Sequence, residues 1–155
     1  MARDAQLTIA GSIAEPSRSR PVAPVRAPQG RNGLALAAQA SQILSEAATW
    51  INCDERFRLA HLGALRTAAA LFADRARPSN RRPTNAWVLL AQVAPELADW
   101  ASYFAAGASK RAAIESGAQN IVTARDADDL LRAASEFLTM VEVSLGVFEI
   151  GRAHV

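Results

Sequence analysis

Residues 54–77, DERFRLAHLGALRTAAALFADRAR, decide the fold of this chain. The stretch has no proline and a single glycine, and it consists mostly of alanine, leucine and arginine, which favour the helical state. Asp54 is suited to cap the start of a helix, and Glu55 places negative charge in its first turn. The stretch therefore predicts one long helix.

On a helical wheel, this helix is apolar over an arc of about 200°, wider than the single stripe of a surface helix. The apolar side comprises Phe57, Ala60, Leu62, Ala64, Leu65, Ala68, Ala69, Leu71 and Phe72. The remaining polar strip comprises Glu55, Arg56, Arg66, Thr67, Asp74 and Arg77. A helix of this kind needs neighbours on two or three sides, so the pattern predicts a helical bundle with this helix as an inner member.

Further helices are predicted on both sides of this one. Apolar residues at three- and four-residue steps predict a first helix over about residues 33–50, antiparallel to the next because the connection is short. Beyond two prolines, the sequence predicts helices over residues 86–93 and 95–116, either as one kinked helix or as two. Thr123 and Asp126 resemble a capping box that starts a last helix, which is expected to end within residues 146–151.

The two ends of the chain lack this periodicity. Residues 1–32 carry four prolines among serine, alanine and arginine, a composition that predicts a disordered tail. The bundle is expected over residues 33–150, followed by a short tail over 151–155. A length of 155 residues suits one domain.

The composition indicates what fills the core and in which cellular compartment the protein is expected. Half of the residues are apolar but only 6% are aromatic, so alanine and leucine must fill the core. Cys53 is the single cysteine, which excludes an internal disulfide and fits a reducing cytoplasm. No apolar run approaches the roughly 20 residues of a membrane span, and no secretory signal is recognisable. We therefore expect a cytoplasmic protein that does not associate with membranes.

Arginine is concentrated in the first half of the chain and acidic residues in the second half. Four arginines lie close together at the end of the long helix and in the loop after it: Arg75, Arg77, Arg81 and Arg82. Such a cluster is typical of contacts to a nucleic-acid backbone, although a solvated basic loop has the same composition. Trp87 follows the loop. It could stack on a base there, but we interpret it as a core residue instead.

Most catalytic motifs are missing from the sequence. There is no glycine-rich phosphate loop, no HExxH, no paired CxxC and no GxSxG, and we expect neither a metal site nor a cofactor. Asp126, Asp128 and Asp129 would point in different directions on a helix, so helix capping and solvation explain them.

His61 and the arginines before it are the candidate catalytic residues. Arg56 and His61 form an R-x4-H string, but five positions place them about 140° apart on a regular helix. Arg58 is about 60° from His61 and is the better geometric partner. Both Arg58 and His61 fall inside the apolar arc, where a charged group must be paired or reach solvent. The alternative to a catalytic site is therefore a hydrogen-bonded interior histidine beside an arginine that reaches solvent.

Three strings resemble a known family: AHLGALRTAAALFADRARP, AWVLLAQVAPELADWASYFAAGA and VTARDADDLLRAASEFLTMVE. Together they are similar to a small actinobacterial branch of the HEPN domains, over about residues 34–145. The resemblance implies an all-α, up-and-down bundle of four or five helices that often forms homodimers. Many HEPN domains are RNases with an R-x4-6-H motif paired across a dimer, and others bind RNA, nucleotides or partner proteins.

The R-x4-6-H motif carries over to Arg56 and His61. In the nuclease members it lies near the last helix and has a polar residue after the arginine, whereas here it starts the second predicted helix and is followed by Phe57. The resemblance therefore implies a binding or scaffold protein, with RNA, a nucleotide or a protein as its ligand. Two alternatives stay open: a metal-independent endoribonuclease using Arg56 or Arg58 with His61, and a structural partner of another protein without nucleic acid.

Overall fold

The structure is a computed structural model and describes residues 27–75 and 85–147. These ranges contain five α-helices and one 3-10 turn, Pro95–Leu97, and no strand, which confirms the predicted all-α fold. The helices are α1 (Ala27–Thr49), α2 (Cys53–Arg75), α3 (Ala86–Val93), α4 (Ala98–Glu115) and α5 (Ala124–Ser144). None of the described helices combines the length and the apolar character that a bilayer crossing requires.

The helix boundaries lie close to the predicted ones, with one clear difference. Helix α1 begins at Ala27, so it includes residues that the sequence assigned to the N-terminal tail. Pro28 is compatible with this start, because it lies in the first turn of the helix. Backbone N–H groups have no partner within the helix there, so the N–H that proline lacks costs no hydrogen bond. The rest of the predicted tail and the predicted tail over residues 151–155 lie outside the described residues.

Helix α2 is the centre of the bundle, as predicted, since it contacts α1, α3, α4 and α5. Its buried residues are Asp54, Phe57, Leu59, Ala60, His61, Gly63, Ala64, Thr67, Ala68, Ala70 and Leu71. The prediction that Thr67 lies on the polar strip is wrong. Its hydroxyl donates a 2.9 Å hydrogen bond to the carbonyl oxygen of Gly63 within the same helix, so the side chain is buried without a partner from another helix.

Helices α1 and α2 form an antiparallel pair in close contact. A Cβ atom built on Gly63 would lie 2.4 Å from Cδ2 of Leu44, well inside van der Waals contact. Ala37, Ala40 and Ala47 are buried on the α1 side of the core. Small side chains therefore bring these two backbones together.

Helices α3, α4 and α5 are fixed by their caps and by an aromatic cluster. Asn85 caps α3, and Thr123 and Asp126 form the predicted capping box of α5. The rings of Phe104 on α4 and Phe137 on α5 lie 5.3 Å apart between their centroids. Trp87, Trp100, Tyr103 and Phe57 also lie at or near this interface.

Candidate binding groove and the His61 network

Helices α4 and α5 both pack on α2, and an open groove runs between them. One part of it is a cavity of about 250 Å³ lined by Phe57 from α2, Gly107 from α4 and Leu130 from α5. An adjoining cavity of about 550 Å³ includes Trp100, and both cavities share Tyr103 and Asp129. We call this continuous depression the α4–α5 groove.

Aromatic side chains give the groove its apolar surface. Trp100 is partly exposed there and stacks on Phe137, with 5.7 Å between the ring centroids. Tyr103 is 45% exposed, and its ring packs edge-on against Phe104. Partial burial raises the pKa of Tyr103, and the charge of Asp129 acts in the same direction, so its hydroxyl is protonated at neutral pH. The groove thus offers two accessible aromatic rings held by a packed core.

Charged side chains surround these rings, and most of them are already paired. Asp129 accepts a 3.1 Å hydrogen bond from Arg132 and lies 3.7 Å from Nε of Arg125. Asp126 accepts a hydrogen bond from the backbone N–H of Thr123, which lowers the pKa of its carboxyl group.

Two further carboxylates of the groove, Asp99 and Glu136, form no ion pair with any other residue in the described ranges. The described groove therefore has two carboxylates without an ion pair next to the aromatic surface, while Arg125 and Arg132 share the carboxylate of Asp129.

His61, by contrast, is completely enclosed between α2 and α4. Its Nε2 atom is 2.8 Å from the carbonyl oxygen of Phe104, and its Nδ1 atom accepts a 2.9 Å hydrogen bond from Nε of Arg111. Because the carbonyl can only accept and the guanidinium can only donate, this geometry assigns the proton of the neutral ring to Nε2. Both ring nitrogens are therefore engaged.

Arg111 completes this network from the surface side. Its Nη1 atom contacts both carboxylate oxygens of Glu115 at 2.9 Å, one helical turn away. Burial lowers the pKa of His61, and the positive charge of Arg111 acts in the same direction. The histidine is thus held in its neutral form at the α2–α4 interface.

The two arginines predicted to act with His61 are engaged elsewhere. Arg56 is ion-paired with Asp128 on α5, and its Nε donates a 3.0 Å hydrogen bond to the carbonyl oxygen of Trp50. Arg58 makes two hydrogen bonds, of 3.0 and 3.2 Å, to the carboxylate of Glu55. The structure brings neither guanidinium to the histidine ring.

The guanidinium beside His61 is that of Arg111, which sequence reasoning missed. Arg111 lies seven residues after Phe104, so two helical turns place both residues on the same side of α4. The periodicity of α4 could therefore have placed Arg111 on the side of Phe104, although it did not show which residue of α2 lies opposite.

Arg75 is the one residue of the predicted nucleic-acid cluster that lies in the described ranges. It is ion-paired with Glu96, and its Nη2 donates a 3.1 Å hydrogen bond to the hydroxyl of Ser144. Arg77, Arg81 and Arg82 lie outside the described residues, so their role stays a prediction. Trp87 is only 5% exposed and stacks on Phe104, which confirms that it is a core residue.

The comparisons with known proteins agree with this architecture. The family model described as SAV_6107-like HEPN matches residues 47–142, more than half of the chain. The matched region begins near the end of α1 and includes α2, α3, α4 and most of α5. Neither the curated proteins nor the solved structures gave a match. The chain therefore belongs to the SAV_6107-like HEPN family.

Proposed function

We propose that this HEPN domain is a binding or scaffold protein that holds a partner protein in the α4–α5 groove. The observation that carries the proposal is the combination of Trp100 and Tyr103 with the carboxylates of Asp99 and Glu136. Partly exposed aromatic rings surrounded by polar groups are characteristic of protein-binding surfaces, because the rings supply contact area and the charges supply specificity. Since Arg125 and Arg132 line the same groove, the preferred partner segment is apolar and carries charges of both signs, with its basic group toward Asp99 and Glu136.

The surroundings of His61 support binding over catalysis. A general base needs a ring nitrogen within hydrogen-bonding reach of the substrate. In this structure Phe104 and Arg111 occupy both nitrogens, and the ring has no exposed surface. The enclosed His61 ring and its two hydrogen bonds stabilise the α2–α4 interface.

In-cell photo-cross-linking tests the groove. A photoreactive amino acid is placed at Tyr103 of the full-length chain, and a matched one at Ser135, which faces a different depression between α1 and α5. We expect a discrete cross-linked partner protein at position 103 and none at position 135, with loss of the product after Trp100→Ala. Absence of a partner product at 103, or the same products at both positions, would contradict the proposal.

RNA is a second ligand class, and it would bind at the basic cluster rather than in the groove. The cluster joins Arg75 to Arg77, Arg81 and Arg82, and RNA held by guanidinium groups dissociates as salt increases. We expect Arg81→Ala with Arg82→Ala to weaken RNA retention and to make it less dependent on salt. Unchanged retention in this double variant would exclude the cluster as the RNA contact.

The alternative function is a metal-independent endoribonuclease. It would use His61 together with Arg111, whose Nε atom lies 2.9 Å from the ring, for proton transfer and for stabilising phosphate charge, and it requires the enclosed ring to become accessible to RNA. In this mechanism the 2′-hydroxyl attacks the phosphate and the 5′-oxygen leaves, giving a 2′,3′-cyclic phosphate. Arg56 and Arg58 would have to leave their present carboxylate partners to assist.

Incubation of the purified chain with mixed RNA in EDTA separates the two functions. Cleavage that disappears in His61→Ala, while the variant retains its helical circular dichroism, would establish the enzyme. We expect intact RNA with the native chain.

Many HEPN domains dimerise, and we propose that this chain forms a homodimer. Light scattering after gel filtration of the full-length chain measures its mass directly. A mass near twice 16.5 kDa is expected, and a mass near 16.5 kDa at all concentrations would exclude the dimer.

A further inference from the structure

The smaller cavity of the α4–α5 groove is built on three helices. The buried side chains of Phe57 on α2 and Leu130 on α5 line it together with Gly107 on α4. A Cβ atom built on Gly107 would lie 3.4 Å from Cζ of Phe57 and 3.4 Å from Cδ2 of His61, which are ordinary contact distances. The missing side chain at position 107 therefore leaves the cavity open down to the ring of Phe57.

The volume of this cavity fits one large side chain. It encloses about 250 Å³, with the ring of Tyr103 among its lining groups. An apolar cavity of about 150 Å³ is large enough to bind benzene. The space between Phe57, Gly107 and Leu130 therefore suffices for an aromatic ring together with the carbon that attaches it to a backbone.

The charged groups that line this cavity are engaged with other residues. Lys110 lies 4.0 Å from the carboxylate of Asp126, which also accepts a hydrogen bond at the N-terminal cap of α5. The carboxylate of Asp129 is shared by Arg125 and Arg132. A charged ligand group would lose its water here without gaining a counter-charge that is not already engaged, so the cavity favours an uncharged group.

Two features of the lining favour an aromatic ring over an aliphatic side chain. Phe57 and Tyr103 offer ring surface, and aromatic pairs in offset or edge-on geometry gain more than the burial of their area alone. The ammonium group of Lys110 adds a cation that is attracted to the face of a ring.

We propose that the cavity between Phe57, Gly107 and Leu130 receives one uncharged aromatic side chain, which anchors the partner segment in the α4–α5 groove. Asp99 precedes Gly107 by eight positions and Glu136 follows Leu130 by six, so these carboxylates lie about 12 and 9 Å away along their helices. The basic group of the partner segment therefore lies about 10 Å from the anchoring ring. That the ring belongs to a partner protein rests on the proposed binding function, whereas the binding of an aromatic ring by the cavity does not.

An NMR titration of the isotope-labelled full-length chain with N-acetyl-phenylalaninamide tests the cavity without a partner protein. We expect a saturable shift of the Gly107 amide signal and nuclear Overhauser contacts between the probe ring and the methyl groups of Leu130. The Kd should be on the order of millimolar for so small a ligand. N-acetyl-leucinamide should bind about 2–10-fold more weakly, because it lacks the aromatic contacts.

Two neighbouring exposed positions of α4 provide matched variants. Ala106 lines the cavity, whereas Ala105 lines a separate depression between α3 and α4. Ala106→Leu should weaken binding of N-acetyl-phenylalaninamide by about tenfold or more, and Ala105→Leu should leave it unchanged. Gly107→Ala should also weaken binding while the helix is retained, because alanine is the better helix former.

Three results would overturn the proposal: no saturable shift of Gly107 in the native chain, equal binding of the two probes, or equal losses in Ala106→Leu and Ala105→Leu. If the probe binds as expected but cross-linking at Tyr103 yields no partner protein, the cavity site holds and the proposed binding function fails. If a partner protein cross-links at Tyr103 and the product persists in Ala106→Leu, the binding function holds and the aromatic anchor is wrong.

Discussion

The α1–α2 pair and the α4–α5 pair pack in opposite ways on the same bundle. Between α1 and α2, alanines and Gly63 allow the backbones to approach until there is no room for one more methyl group. Between α4 and α5, the rings of Trp100, Phe104 and Phe137 fill the interface and leave a groove above them. Small side chains therefore make the closely packed side of this bundle, and large aromatic side chains make the side with an open groove.

The largest effect is expected where the aromatic cluster supports the groove. Phe137 is fully buried and stacks on Trp100, so Phe137→Ala removes a large apolar contact and leaves a cavity. We expect a loss of about 3–5 kcal/mol in the free energy of unfolding. Urea denaturation followed by circular dichroism measures it, and a loss below about 1 kcal/mol would show that the cluster does not hold α4 and α5 together.

A smaller loss is expected at the close contact between α1 and α2. In Gly63→Ala the new methyl group would collide with the side chain of Leu44, which is itself buried. We expect a destabilisation of about 1–3 kcal/mol, although alanine is the better helix former.

Combining Gly63→Ala with Leu44→Ala should cost less than the sum of the two single variants, because the second substitution removes the colliding atoms. Additive losses in this double-mutant cycle would mean that the two helices are less closely packed than the structure shows.

The His61 network predicts a dependence of stability on pH. Burial lowers the pKa of His61 in the folded state, so the unfolded chain binds more protons as the pH falls below about 6.5. Stability from this residue is therefore fully present above the ordinary histidine pKa and is lost as the pH falls toward the lowered value.

Urea midpoints at pH 7.5 and pH 5.5 measure this effect. His61→Gln, which keeps a donor for the carbonyl of Phe104 but does not titrate, is the matched control and should lose most of the pH dependence. If the urea midpoint falls equally in the native chain and in His61→Gln, the pH dependence belongs to other groups.

The smallest effect on stability is expected on the groove surface. Tyr103 is 45% exposed but packs edge-on against Phe104, so Tyr103→Ser should lower the free energy of unfolding by about 0.5–1.5 kcal/mol. The same variant should abolish binding of a partner segment. A large loss of stability would identify Tyr103 as part of the core.

The sequence predicted the parts of this fold that depend on periodicity. The wide apolar arc of α2 identified the central helix, and Thr123 with Asp126 identified the start of α5. Thr67 was assigned to the wrong side because a hydroxyl that bonds its own helix can be buried like an apolar group. Periodicity shows which side of a helix is buried, but it does not show which polar residues find partners there.

The groove and the partner of His61 depend on distances between helices. No pattern within α4 or α5 reveals that the aromatic cluster leaves space above it, and the periodicity that places Arg111 on the side of Phe104 does not show that His61 lies opposite. The spacing of Arg56 and His61 suggested a shared site, whereas the structure engages the two residues with different partners.

The proposed binding function depends on a closed interior at His61 and an open surface at the groove. Nitrogen-detected NMR of His61 in the native chain tests this most directly, with His154→Gln used to assign the only other histidine. We predict a neutral ring protonated at Nε2, which persists when the pH falls below the ordinary histidine pKa. A ring that titrates at its ordinary pKa and exchanges its proton freely with solvent would contradict the account and return His61 to the candidate catalytic residues.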